Sequence, residues 1–187
     1  VTLQPIHLAL ATFIVGLTLD QCSPGLPAHA QAPDVGLMLA RVFVSESGFD
    51  GAADHLPIAN YTRSLARYWR VPMGVALPRR YTRALAPESE RRSRPWLANL
   101  MRNGAEPRSW PHGPNSQPWP ERRQQWLDTL ARADAFLAGE VDAPPGCRPH
   151  SWGSPEYDRE AIESTIANGG FVIDCGPTKN VFLRWHP

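Results

Sequence analysis

Lysine is almost missing from this chain. Lys179 is the only one, and arginine carries nearly all of the positive charge. That imbalance reads as genomic base composition and argues for no function by itself. Net charge is only +1 over 187 residues, which is no signature of nucleic-acid binding. The chain has no H-E-x-x-H helix, no Walker loop, no G-x-G-x-x-G and no G-x-S-x-G. Its histidines, His7, His29, His55, His112, His150 and His186, are scattered without ligand spacing. These absences remove metalloproteases, nucleotide enzymes and serine hydrolases as leading readings, and the expectation is no metal and no cofactor.

What is present suits one globular domain. Apolar residues make up 42% and charged residues 20%, which excludes general disorder. Twenty prolines imply many fixed turns, and seven tryptophans supply flat faces for a core or for stacking on sugar rings.

The first 30 residues read as an export signal. Ile6 to Leu19 is mostly apolar but short for a bilayer span, "SPGLP" breaks it, and Ala28-His29-Ala30 is an A-x-A cleavage pattern. No Lys or Arg precedes Arg41, so a buried N-terminal helix and an uncleaved anchor stand as alternatives. The expected mature chain is 31–187, a monomer with no stable membrane insertion. Cys22 would leave with the leader, so Cys147 and Cys175 remain as an even pair and read as one disulfide in an exported chain. The same pairing makes a cysteine nucleophile a poor reading.

Asp34 is placed to cap a first helix ending near Ser47, with Gly48 at its C-cap. Asp54 is placed to cap a second, in which Ile58, Tyr61, Leu65 and Trp69 recur at helical spacing. Residues 72–119 read as mostly irregular, with one helix across Pro95 to Met101. A long helix follows over 120–138, with Trp126, Leu130, Ala133 and Leu137 as its stripe and Gly139 as its stop. Ser154-Pro155-Glu156 starts another, with Ala161, Ile162, Thr165 and Ile166 expected inside. "FVID" and "NVFLRW" close the chain as a short hairpin. The fold class expected is α+β, helix-dominated, a single domain.

Glu46 is the acid that draws attention. In "RVFVSESGFD" it follows an apolar helix and precedes a glycine turn, so its carboxyl is either a solvated helix end or an acid at a cleft lip. Desolvation there would raise its pKa and keep it protonated, as proton donation to a glycosidic oxygen requires. Asp50 and Asp54 are candidates for a second carboxylate, or are ordinary caps.

Three blocks, "ARVFVSESGFDGAADHLPIANYTRSLARYW", "HSWG" and "DCGPTKNVF", resemble exported cell-wall hydrolases of the lysozyme-like and lytic transglycosylase group, with motifs like those of spore-cortex hydrolases. The Gly-Leu-Met-Gln-like stretch of the commonest transglycosylases is absent, so the resemblance speaks to the reaction class more than to a subfamily. It implies a lysozyme-like domain acting on peptidoglycan glycan strands outside the cytoplasm. Glu46 would serve as acid and then base, toward water or toward the sugar's own 6-hydroxyl. It also places the Thr178 and Asn180 segment near the cleft, to bind sugar or to build a turn. Tyr81 either orients the intermediate or packs, and Trp152 is a sugar platform or core. Trp110 and Trp119 in the proline-rich loop are candidate exposed stacking faces. A non-catalytic glycan-binding or structural protein on the same scaffold is the competing reading. A secreted inhibitor or toxin partner has no feature in its favour.

Overall fold

Asp34 begins the first helix as its chemistry demands: its Oδ1 accepts from the Leu37 N–H at 3.0 Å, filling one of the orphan donors of the first turn. In the computed structural model, which describes residues 33–114 and 116–185, this helix (α1) spans Val35–Ser47. The expected leader, residues 1–30, lies outside the described residues. Leu39, Val42, Phe43 and Val44 of α1 are all but fully buried, so this apolar helix is central to the core. It packs on a long helix later in the chain, Trp119–Ala138, and Arg102 joins the two by pairing with Asp34 and Asp134.

A 3₁₀ turn over Ala52–Asp54 leads into α2, His55–Trp69. Ile58, Tyr61 and Ala66 are buried, whereas Leu65 and Trp69 reach only half-burial. The segment expected to be irregular holds two further helices, α3 (Met73–Arg80) and α4 (Thr82–Leu85). Their signals are weak because α3 carries Pro78 and both are short. Tertiary burial of Ala76, Leu77, Tyr81 and Ala84 stabilises them instead. The helix expected from Pro95 is a 3₁₀ segment, Pro95–Asn99.

The helix α5 spans Trp119–Ala138 and stops at Gly139, whose φ of 79° is the left-handed exit that glycine adopts freely. Its inner stripe is Trp126, Leu130, Ala133 and Phe136, while Leu137 turns outward. The last helix, α6, begins later than expected, at Arg159, and ends at Ala167. Only Ile162 of its apolar residues is buried; Ala161 and Ile166 are exposed, so α6 lies over the sheet by one contact row.

The C-terminal pair is present and gains a third member. Strands β1 (Ser151–Gly153), β2 (Gly170–Ile173) and β3 (Val181–Trp185) form an antiparallel sheet in the order β1-β3-β2. Trp152 sits opposite Phe182, and Ile173 opposite the same residue on the other side. The fold is therefore helix-dominated α+β, and Pro33–Pro187 form one compact unit.

The proline-rich loop is a clasp of buried aromatics. Trp110 and Trp119 are 7% and 4% exposed, so neither is the open stacking face expected. Trp110 meets Trp96 and Trp119 edge to face at 4.8 and 4.9 Å, and Phe49 stacks on Trp96 at 5.8 Å. The indole N–H groups donate to Gln117 and Gly104 carbonyls, which lets the rings be buried without orphaned donors.

Candidate active site

The turn after α1 positions everything that follows. Gly48 caps the helix with φ 72° and ψ 179°, a conformation open essentially to glycine alone. Three residues on, a Cβ at Gly51 would lie 2.3 Å from the Ser47 carbonyl oxygen, so only glycine lets the chain fold back this closely. Phe49 between them is held in the tryptophan clasp, with the Arg122 guanidinium 5.5 Å above its ring. A tightly fixed turn thus ends α1 at Ser47, one residue after Glu46, and leaves Glu46 facing outward.

Glu46 sits where three cavities join. Volumes of ≈ 900, ≈ 550 and ≈ 290 Å³ surround it, and it is the one described residue that lines all three. The largest runs between α4 and the 90–97 segment. The second passes Asp54, Ser154, Tyr157, Lys179 and Asn180, and the smallest reaches Arg80, Trp152 and Asp158. The carboxylate makes no hydrogen bond or ion pair among the described residues. It is open to solvent, yet protein crowds it from several sides, and this desolvation raises its pKa against the opposing pull of Arg80. Accessibility and desolvation coexist because a groove admits a molecule along one direction and excludes bulk water from the others.

The other two candidate acids are engaged. Asp50 is exposed and faces α5, where Arg122 at 2.8 Å and Gln125 at 3.3 Å hold it; the Arg122 hydrogen bond lowers its pKa. Asp54 is fully buried and makes no helix cap. Its Oδ1 instead accepts from the backbone N–H groups of Lys179 and Asn180 at 3.0 and 3.3 Å, and its Oδ2 from Asn180 Nδ2 at 3.1 Å. Burial still pushes its pKa up despite those donors. The cap expectation fails because a partner 125 residues away competes for the same oxygens.

His55, next to it, is 1% exposed and lies flat on Phe43 of α1, ring centroids 4.5 Å apart. Desolvation, with Arg132 nearby, lowers its pKa to about 3, so the ring is neutral. Arg132 stands 3.4 Å from Nδ1, which places the proton on Nε2; that nitrogen has no hydrogen-bond partner among the described residues, although the Gly48 backbone close by favours protonation. Asp54 and His55 thus bolt α2 to the C-terminal loop on one side and to the Glu46 helix on the other. The three sequence blocks meet here.

Of the expected sugar-contacting residues, Trp152 and Asn180 line the groove with Glu46. Trp152 is half-buried, edge-on to Tyr61 at 4.7 Å, with Arg80 5.8 Å from its ring. Asn180 spends its side-chain amide N–H on Asp54, leaving its side-chain Oδ1 as an acceptor, while its backbone carbonyl is used within the turn. Tyr81 lies beneath the groove, 4% exposed, its hydroxyl 3.1 Å from Thr62 Oγ1; burial drives its pKa upward. Its role there is packing. Thr178 donates to the Asn180 carbonyl at 2.9 Å and serves the turn, outside the groove lining.

Sequence reasoning missed Tyr157, Arg80 and Asp158. Tyr157 is 81% exposed and lines two of the cavities, an open aromatic face beside the free carboxylate. It sits in a polar turn, "SPEYD", where only the fold reveals its placement. Asp158 Oδ2 accepts from the Ser154 N–H at 2.8 Å and so shapes that turn.

Cys147 and Cys175 are bonded, with Cα atoms 5.0 Å apart. The bond ties the loop before β1, which carries Trp152, to the loop that carries Asn180. Asn60 of α2 donates to the Cys147 carbonyl and anchors the same junction. Among the described residues no cluster of three His, Cys, Asp or Glu side chains is arranged to hold a metal, and no helix is long and apolar enough to cross a membrane. Comparison with family models, with curated proteins and with solved structures found no match to this chain.

Proposed function

We propose that this protein is a glycosidase of bacterial peptidoglycan, acting on the amino-sugar backbone with Glu46 as its general acid and base. One observation carries the reading: an unpaired, desolvated glutamate stands at the junction of a branched groove, where a long polymer can pass. A raised pKa lets this acid keep its proton to higher pH than a solvated glutamate, which favours proton donation to the glycosidic oxygen.

The surroundings support a mechanism with one carboxylate. Asp54 has its oxygens occupied by the 179–180 loop and Asp50 is paired with Arg122, so neither is free to attack an anomeric carbon. A sugar N-acetyl group can stabilise the positive charge in their place. Glu46 then acts as base toward water, giving hydrolysis, or toward the 6-hydroxyl, giving an anhydro product. Tyr157 and Trp152 supply aromatic faces for the sugar rings, and the Asn180 oxygen an acceptor for an amide N–H or a hydroxyl. The disulfide suits an oxidising compartment, as an exported wall enzyme requires.

Glu46→Gln keeps the shape of the groove and removes the proton. Release of soluble fragments from purified peptidoglycan should fall at least about 10²-fold, with binding of the variant to the insoluble polymer retained in co-sedimentation. Equal release by the wild type and Glu46→Gln would overturn the assignment. Binding with no release by either protein would favour a glycan-binding module instead.

A further inference from the structure

The largest branch of the groove has a charge pattern that neutral sugars do not explain. Arg83, Arg91, Arg92 and Arg94 line it, against the carboxylates of Glu46 and Glu90. In a chain of net charge +1 this is a local concentration of guanidinium. Two of the four have structural duties. Arg91 donates to the Ala84 and Ala86 carbonyls, closing the loop after α4, and Arg94 reaches the Ser45 carbonyl at 3.4 Å, beside Glu46. Arg83 and Arg92 are exposed, and neither side chain makes a hydrogen bond or ion pair among the described residues. Two unengaged planar forks facing one concave branch match carboxylate geometry, and the concave wall focuses their field.

We propose that this arginine-lined branch takes carboxylates of the peptide substituents on the glycan strand, making peptide-bearing strands the preferred substrate class. The inference rests on the glycosidase reading of Glu46, since it is the shared residue that puts the branch next to the scissile bond. Hydroxyl and acetamido groups of bare glycan would leave both guanidiniums unmatched, whereas a free α- or side-chain carboxylate satisfies them bidentately.

The full chain is assayed on three preparations: glycan strands with peptides intact, the same strands stripped by an amidase, and strands whose peptide carboxylates are converted to amides. Peptide-bearing strands should be cleaved with a kcat/KM about tenfold above both others, a margin that high salt shrinks. In the double variant Arg83→Gln/Arg92→Gln the ratio should fall to within about twofold, the unfolding midpoint confirming an intact fold. Equal cleavage of intact and stripped strands by the wild type would overturn the proposal, as would a double variant that keeps the full ratio. If the wild type cleaves none of them, co-sedimentation with the same strands decides the branch separately. Tighter, salt-sensitive retention of peptide-bearing strands supports it, and indifference sinks it.

Discussion

Glu46 and His55 show how much one side chain's surroundings decide. Both are partly or wholly removed from water, but burial moves an acid's pKa up and a base's pKa down. For Glu46 that means a proton held to higher pH than on a solvated glutamate; for His55 it means a neutral ring packed between two helices. His55 has a pKa near 3 in the fold and about 6.5 when unfolded, so its contribution to stability is complete above the unfolded value. That contribution declines as pH falls below about 6.5, because only the unfolded chain then takes up the proton. Between pH 7.5 and 5 the loss should be about 2 kcal/mol, read from denaturant midpoints at each pH. His55→Phe keeps the stack on Phe43 and should flatten this slope; an unchanged slope would show that the ring is not held neutral. The sequence made Glu46 legible because its signal is local, an apolar helix running into a glycine. Nothing local marks His55 or Tyr157, whose roles come from what the fold brings alongside.

Among the elements, the Asp54 link between α2 and the 174–180 loop deserves the sharpest test, since it separates two roles for one carboxylate. Asp54→Asn keeps one oxygen for the Lys179 and Asn180 N–H groups but sets a new amide donor against Asn180 Nδ2, so stability should fall by about 2 kcal/mol and the loop should lose protection from hydrogen exchange. Activity should fall less than in Glu46→Gln. A variant as stable as the wild type yet inactive would make Asp54 a second catalytic carboxylate. Elements read correctly from sequence, α1, α5 and the β2–β3 pair, have strong caps, long periodic stripes or β-branched runs. Those misread depend on distant contacts. Short α3 and α4 form because Leu77, Tyr81 and Ala84 are buried, and Trp110 and Trp119 turn inward because Phe49 and Trp96 give them a surface to close on. Proline content suggested open loops, but aromatic packing decided the matter.

At the scale of the whole domain, the Cys147–Cys175 bond and the buried Asp54 help to hold the C-terminal sheet and its loops to the helical body, and the two smaller branches of the groove lie along that seam. The Cys147–Cys175 bond spans a sequence separation of 28, for which the chain-entropy model gives about 3.6 kcal/mol. Reduction, or replacement of both cysteines by alanine, should lower the unfolding midpoint by about 10 °C and weaken glycan binding together with it, because the joined loops lead into β1 with Trp152 and into the turn with Asn180. A midpoint shift with binding untouched would mean that the loops keep their positions without the bond. The measurement that tests the central claim most directly is the mass of the products from purified peptidoglycan. Wild-type protein should yield muropeptides cut at the glycosidic bond, either hydrated or about 18 mass units lighter by the loss of one water, and Glu46→Gln should yield essentially none. Products cut at amide bonds, or equal yields from both proteins, would contradict an acid at position 46 as the source of activity.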